Sequence, residues 1–169
     1  MAVHGERLFV LSAEEPLRAD PDLTTEAVET LIRVLRTQYH YIIVDVPRIP
    51  AAPYRQALDT ADVRVVVADQ TLRSVRDTVR LCDRRGVRLA IRSDLIVLNR
   101  AGEGGPRAMT LEDMTKVKLR PDFVIPFRPK LFTMPGLARR GAFTRVISAL
   151  AAEISGRVPE PTGWWRLGR

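Results

Sequence analysis

Short, continuous apolar runs recur along the chain, and this pattern constrains the fold more than any other feature of the sequence. Predicted strands with such runs, separated by amphipathic stretches, cover residues 8–11, 41–44, 63–68, 94–99 and 123–126; polar residues occur in them only at Arg64, Asp94 and Asn99. Runs without polar alternation are typical of strands that are buried on both faces of a parallel sheet. Each run is far shorter than the ~20 residues of a membrane span. We therefore predict an α/β domain with a mostly parallel sheet of about five strands and flanking helices.

The stretches between the runs carry the marks of helices. Thr24 or Thr25 can cap a helix whose apolar residues recur at helical spacing. Thr110 with Asp113 three residues later predicts a helix that begins with a capping box. Further helices are predicted over residues 54–61, 74–85 and 143–155. The apolar stripe of the last helix is expected to face the core.

Length and composition indicate one globular domain. The chain has 169 residues, of which 46% are hydrophobic and 28% charged, close to the globular average. Cys82 is the single cysteine, so no internal disulfide can form. No charged segment followed by a long apolar one opens the chain, so we expect a cytoplasmic protein without a signal peptide. We predict a folded domain over residues 1–156 and a disordered, basic, Trp-containing tail over residues 157–169.

Positive charge is concentrated at the end of the chain. The net charge is +7, and residues 128–169 hold eight basic and two acidic side chains. Such a segment can contact nucleic acid, anionic lipid or an acidic partner, or it can be an ordinary solvated surface. Trp164 and Trp165 beside Arg166 suit a membrane interface or a partner surface, the alternative being an unstructured end.

Residues that follow predicted strands are the first candidates for chemistry, because ligands of open α/β sheets bind at the carboxyl ends of the strands. Asp45, Asp69, Asn99 and the residues after Pro126 have this position. Asp45 follows four apolar residues, where a carboxylate can hold hydrated Mg²⁺ beside nucleotide phosphates. Pro47 stiffens the turn that follows. An aspartate that only caps the next turn is the alternative.

Asn99 and Arg100 end a later strand with an amide and a guanidinium. An amide both donates and accepts, so Asn99 can read a purine edge, and Arg100 can pair with phosphate or carboxylate. Turn formation by Asn99 is the alternative.

The phosphate-binding pattern G-x-x-x-x-G-K-[ST] does not occur in the sequence. The three lysines are Lys116, Lys118 and Lys130, and none follows a glycine. The glycine-rich stretch 102–105 has neither lysine nor hydroxyl, and we predict a flexible loop there.

Together these motifs resemble the MinD/ParA branch of P-loop ATPases, and within it the CpaE/TadZ proteins of Flp (tight adherence) pilus assembly. The resemblance rests on the order and spacing of modest motifs over residues 8–156. The matching segments are Asp45-x-Pro47, Arg55-x-Ala57-Leu58, Ala61-Asp62, Val65–Val67, Ser74–Asp77, Arg80-Leu81, Leu98–Arg100, Val124–Pro126 and Ala151–Gly156.

The resemblance implies a nucleotide-dependent dimeric switch with ATP and Mg²⁺ as cofactors. It implies that Asp45 lies near the metal, that Asn99 and Arg100 contact the adenine, and that Pro126 and Phe127 flank the base. Pro47 belongs to the same implied binding site. The implied partners are Tad/Flp pilus-assembly proteins and a second copy of the chain, at the cell pole or the inner face of the membrane.

The sequence departs from the family pattern in one respect. The first strand, the phosphate loop with its lysine and the following helix of the family are not found, so we expect impaired nucleotide binding and no ATPase activity by this chain alone. Two other functions are considered, namely non-specific DNA binding of the ParA partition type and a membrane-surface positioning module.

Overall fold

The computed structural model describes residues 2–3, 8–12, 23–48, 51–83, 94–129 and 141–157. These residues belong to two compact units, Met1–Thr60 and Ala61–Arg169. The predicted tail, with Trp164 and Trp165, lies outside the described residues from position 158 onward.

The first unit contains a small hairpin and a pair of helices. Strands β1 (Ala2–Val3) and β2 (Phe9–Val10) pair antiparallel, and helices α1 (Thr25–Arg36) and α2 (Ala52–Thr60) pack together. Helix α1 begins where the sequence predicts, because the Thr24 hydroxyl accepts a hydrogen bond from the amide of Ala27 at 3.2 Å. At the other end of α1, Arg36 Nη2 donates to the carbonyl of Thr60 at 2.8 Å and so joins the two helices.

The prediction of a strand over residues 41–44 is wrong for the described structure, which has neither strand nor helix over residues 41–48. A strand exists only when a neighbouring strand satisfies its backbone groups, and no pairing to this run is found among the described residues. The side chains are correspondingly open to solvent, with Ile43 94% exposed and Tyr41 and Val44 about half exposed.

The second unit is a parallel α/β layer, as the sequence predicts. Its sheet has the order β3 (Arg64–Ala68), β4 (Asp94–Ala101) and β5 (Phe123–Pro126), all parallel. The helices are α3 (Leu72–Asp83), α4 (Leu111–Lys116) and α5 (Ala142–Arg157), with a short 3₁₀ helix over Gly105–Arg107. The fold class is confirmed, and the parallel sheet has three of the five predicted strands within the described residues.

A small apolar core holds this unit together. The fully buried side chains of Val75, Leu98, Met114 and Leu119 pack against one another, so that α3 and α4 are fixed to one face of β4. Helix α5 contacts β5. Within the described ranges, no helix combines the length and apolarity that crossing a bilayer requires.

Polar contacts fix the beginnings of the strands. Arg64 Nε donates to Asp94 Oδ1 at 2.7 Å, which ties the first residue of β3 to the first residue of β4. Asp122 does the same for β5, because its carboxylate accepts from the amide of Ile96 at 2.7 Å. These two contacts set the register and therefore determine which residues meet at the opposite, carboxyl ends.

The predicted capping box is present. Thr110 Oγ1 accepts from the amide of Asp113 at 3.1 Å, and the Asp113 carboxylate accepts from the amide of Thr110 at 3.2 Å. The Thr110 hydroxyl, which donates to the Asp113 carboxylate at 2.8 Å, and the Thr110 amide together hold the pKa of the Asp113 carboxyl below its usual value. Helix α4 therefore begins at a position that is defined by two reciprocal hydrogen bonds.

Candidate functional site

The carboxyl ends of β3, β4 and β5 meet at one edge of the sheet and bring together polar residues that are distant in sequence. Asp69 and Gln70 follow β3, Asn99 and Arg100 form the end of β4, and Phe127 follows β5. In open α/β sheets this edge is where ligands bind. Of the six predicted site residues, four lie here.

The end of β4 is irregular, and this irregularity sets the position of the Arg100 side chain. The pairing of β4 with β5 shifts register between Leu98 and Ala101, and Arg100 has a left-handed backbone with φ 55°. Such a conformation is uncommon for a residue with a side chain. Asn99 stabilises it, since Asn99 Oδ1 accepts from the amide of Arg100 at 2.9 Å. Register irregularities of this kind redirect side chains next to functional sites.

Arg100 and Phe127 are in direct contact. The guanidinium carbon of Arg100 lies 5.5 Å from the centre of the Phe127 ring, within the range of a cation–π interaction. Arg100 Nη2 also pairs with Glu103 Oε1. The amide of Phe127 donates to the carbonyl of Ala101 at 2.8 Å, which positions the ring beside the end of β4. Pro126, the last residue of β5, is aligned with Ala101 in the sheet.

Gln70 holds the loop that follows β4. Its Oε1 accepts from the amide of Gly102 at 2.6 Å and its Nε2 donates to the carbonyl of Met109 at 2.8 Å. The amide of Met109 donates in turn to the carbonyl of Gln70 at 2.9 Å. One side chain therefore bridges both ends of the loop, so the glycine-rich segment that the sequence predicts to be flexible is pinned at both ends.

Asp69 contributes a carboxylate to the same edge. Partial burial acts to raise the pKa of Asp69, but hydrogen bonds from the hydroxyl and amide of Thr71, a contact with Ser74 and the charge of Arg100 outweigh it. The pKa of Asp69 is therefore held below its ordinary value, and the group is anionic at neutral pH. Arg100 therefore has the Phe127 ring and the carboxylates of Glu103 and Asp69 as neighbours.

Asp45 and Pro47 belong to the first unit, which is described by itself. Both are exposed and lie in the segment without helix or strand. No hydrogen bond of the Asp45 carboxylate is found among the described residues. Its assignment as the carboxylate beside a metal stays a prediction.

The described residues do not provide a built metal or phosphate site. No group of three or more His, Cys, Asp or Glu side chains suitable for a metal is found among them. Lys116 is engaged by Glu112 at 3.1 Å and by Asp113 at 3.4 Å, on the exposed surface of α4. Arg100 is already paired with Glu103.

Solved structures identify the architecture. No family model matches the sequence, and no curated protein matches it. The chain is similar to the MinD cell division protein of Aquifex aeolicus, with 20% identity and a TM-score of 0.62 over 79% of this chain and 61% of that one. It is also similar to a ParA family ATPase from Chlorobium tepidum, with 22% identity and a TM-score of 0.63 over 77% and 57% of the two chains.

The fold is that of the MinD and ParA ATPases. The MinC–MinD cell division complex of Aquifex aeolicus gives the same result, with 24% identity and a TM-score of 0.60 over 86% of this chain and 64% of that one. The chain spans about three fifths of the length of the structures it matches. The MinD/ParA resemblance inferred from the sequence is thus confirmed at the level of fold.

Sequence reasoning did not find two residues of this edge, Gln70 and Glu103. Gln70 directly follows Asp69, so the strand-end rule that selected Asp69 would have selected it as well. Glu103 lies in the glycine-rich stretch, and its spacing of three residues from Arg100 is the only sequence signal for the ion pair between them.

Proposed function

We propose that the chain acts as a MinD/ParA-type, nucleotide-binding positioning protein in Flp pilus assembly, of the CpaE/TadZ branch. In this proposal it forms a homodimer and contacts Tad proteins at the cell pole or the inner face of the membrane. The fold supports the general class, and the ordered motifs between residues 8 and 156 support the branch. The single observation that carries nucleotide binding is the contact of Arg100 with Phe127, beside Asn99.

The residues at this edge fit a purine base. A guanidinium plane and an aromatic ring are the two surfaces on which bases stack. Asn99 Oδ1 is used by the amide of Arg100, so the NH₂ group of Asn99 is the part directed to a ring nitrogen of the base. Arg100 orients the base by stacking, and Pro126 and Phe127 form the apolar wall against which the base excludes water.

The residues do not fit a triphosphate equally well. A bound Mg²⁺–triphosphate needs a lysine or a ring of backbone amides, and Lys116 is occupied by its two acidic neighbours. We propose that Asp45 is a metal-side carboxylate and that this chain binds phosphate weakly.

Titration calorimetry with adenosine and with Mg·ATP tests this proposal. Because the base supplies most of the binding, the two ligands should bind with similar affinity. Stacking on one aromatic ring contributes about 1–3 kcal/mol, so Phe127→Ala should weaken adenosine binding by about 5- to 150-fold. Arg107→Ala is the matched control, since Arg107 is an exposed arginine of the same loop region without a contact to the ring.

Two results would contradict the proposal. If adenosine does not bind, or if it binds equally well to the Phe127→Ala variant, the base site is wrong. If Mg·ATP binds in the micromolar range and Asp45→Ala abolishes that binding, the phosphate side is intact and its predicted impairment is wrong.

The pilus role needs a test in cells. We expect deletion of the gene to change the number or placement of Flp pili, and re-expression of the Arg100→Ala variant to restore them less well than the wild type. Normal pili in the deletion strain would exclude this role whatever the calorimetry shows.

Non-specific DNA binding is the second candidate, and the excess of basic residues over positions 128–169 favours it. Phosphate contacts make such binding fall steeply with salt. A gel-shift titration of duplex DNA at two salt concentrations separates the candidates: salt-sensitive DNA binding without adenosine binding would favour this function over the first.

A further inference from the structure

Packing does not fix the backbone at two positions of the loop over residues 102–109. Gly102 and Gly105 have left-handed backbones with φ 89° and 55°, and a Cβ atom added at either of them would meet no atom within 4 Å beyond the neighbouring residues. Glycine also loses more backbone freedom than other residues when it is ordered. At these positions the loop therefore depends on hydrogen bonds for its conformation.

A single residue outside the loop provides those hydrogen bonds. Gln70 Oε1 accepts from the amide of Gly102 at 2.6 Å, and Gln70 Nε2 donates to the carbonyl of Met109 at 2.8 Å. The carbonyl of Gln70 accepts from the amide of Met109 at 2.9 Å. Among the described residues, no other hydrogen bond joins residues 102–109 to a residue outside the segment 100–110. The segment between β3 and α3 thus holds both ends of the loop.

The hydrogen bond to Gly102 acts on a turn that begins at Arg100. The amide of Glu103 donates to the carbonyl of Arg100 at 3.1 Å and closes this turn. Gly102, its third residue, has the positive φ that a type II turn requires at that position. Type I and type II turns differ by a rotation of the central peptide group, which here joins Ala101 to Gly102. The orientation of this peptide group therefore decides which form the turn adopts.

Two contacts from distant parts of the chain hold the central peptide group. Its N–H belongs to Gly102 and donates to Gln70 Oε1 at 2.6 Å. Its C=O belongs to Ala101 and accepts from the amide of Phe127 at 2.8 Å. A rotation of the peptide group would break both hydrogen bonds. Because Arg100 precedes this peptide group, the two hydrogen bonds also set where its guanidinium lies relative to the Phe127 ring, whose centre is 5.5 Å away.

We propose that Gln70 is a positioning residue of the candidate base site, because it holds the central peptide group of the turn and so keeps Arg100 over the Phe127 ring before a ligand binds. Oε1 and Nε2 of Gln70 both contact the loop, so Gln70 acts through Arg100 and not on the base. A binding surface that is ordered in advance costs a ligand less conformational entropy. The inference rests on the proposed function, in which Arg100 and Phe127 stack a purine.

Nuclear magnetic resonance of the ligand-free protein tests the position of Arg100 directly. The Phe127 ring shifts the resonances of the Arg100 side chain, and Phe127→Ala identifies the size of that shift. In Gln70→Ala, the Arg100 resonances should move toward their positions in Phe127→Ala. In Gln70→Glu, which keeps the accepting oxygen for the Gly102 amide, they should stay close to the wild-type positions.

Thr71→Ala is the matched control for the loss of hydrogen bonds. The Thr71 hydroxyl likewise makes two hydrogen bonds, both within residues 69–74 and none to the loop. We expect this variant to leave the Arg100 resonances near their wild-type positions. A role of Gln70 in stability alone would lower the urea midpoint of Gln70→Ala and would leave the Arg100 resonances of the folded protein unchanged.

Titration calorimetry with adenosine measures the consequence for binding. One net hydrogen bond changes an equilibrium constant by about 5-fold. Gln70→Ala removes two, so the dissociation constant of adenosine should rise by about 5- to 30-fold. Gln70→Glu should recover most of this loss, and Thr71→Ala should bind adenosine as the wild type does.

The outcomes separate this inference from the proposed function. Arg100 resonances that do not move in Gln70→Ala, or that move as far in Thr71→Ala, would overturn the inference whether or not adenosine binds. An adenosine dissociation constant that is the same for Gln70→Ala and the wild type would also overturn it. A wild type that does not bind adenosine, with the expected series of Arg100 shifts, would overturn the proposed function and not the positioning of Arg100. Gln70→Met, which keeps the length of the side chain without its hydrogen bonds, replaces Gln70→Ala if that variant does not fold.

Discussion

Replacement of Met114 by alanine tests how much the apolar core contributes to the stability of the second unit. Met114 is 0% exposed and packs against Val75, Leu98 and Leu119. Truncation removes the buried atoms beyond Cβ, worth about 0.8 kcal/mol per methylene equivalent, and leaves a cavity that costs about 24 cal/mol per Å³. Measured methionine-to-alanine losses of about 2–5 kcal/mol include both contributions. We therefore expect a loss of about 3 kcal/mol in the free energy of unfolding.

Urea unfolding followed by circular dichroism measures this loss. With a slope of about 2 kcal/mol per molar urea, the midpoint of the variant should fall by about 1.5 M. Leu111→Ala is the matched control, since Leu111 lies on the same helix but is 48% exposed, and it should cost well under half as much. Similar losses for the two variants, or a loss below about 1 kcal/mol for Met114→Ala, would refute the assignment of this core.

Three further predictions follow from polar contacts of the second unit. Thr110→Ala removes the cap of α4 and should cost about 1 kcal/mol in urea unfolding, whereas Thr110→Ser should restore most of it. The pKa of Asp69 is lowered in the folded state. The stability that its carboxylate contributes is therefore present above the ordinary pKa of 3.8 and is lost as the pH falls through the folded value. Asp69→Asn should flatten this acid dependence of the urea midpoint. Gln70→Ala should accelerate hydrogen exchange at the amide of Gly102, while Gln70→Glu, which keeps the accepting oxygen, should not.

Local features were predictable from the sequence, and features that depend on a distant partner were less so. The Thr24 and Thr110 caps are set by residues within four positions, and both are present as predicted. The run at 41–44 has the composition of a strand, but the composition cannot supply the neighbouring strand on which pairing depends. The strand prediction for residues 41–44 was therefore wrong because it lacked information about distant parts of the chain.

The candidate site was predictable in part for the same reason. The rule that parallel strands end at one edge brought Asn99, Arg100 and Phe127 together, and these residues meet in the structure. The rule gives positions and no side-chain contacts, so it did not reveal the bridge made by Gln70 or the left-handed backbone of Arg100. The glycines predicted a flexible loop at residues 102–105. The left-handed backbone of Arg100 lies before them and is stabilised by the side chain of Asn99.

The ion pair between Arg64 and Asp94 has a consequence for the order of folding. Its two residues are 30 positions apart, and the intervening chain must form the crossover with α3 before the first two strands can align. A contact between residues this far apart stabilises the fold only after the chain has lost the conformational entropy of closing a long loop. Helices form from contacts close in sequence, whereas the pairing of β3 with β4 requires that the chain first close this 30-residue separation.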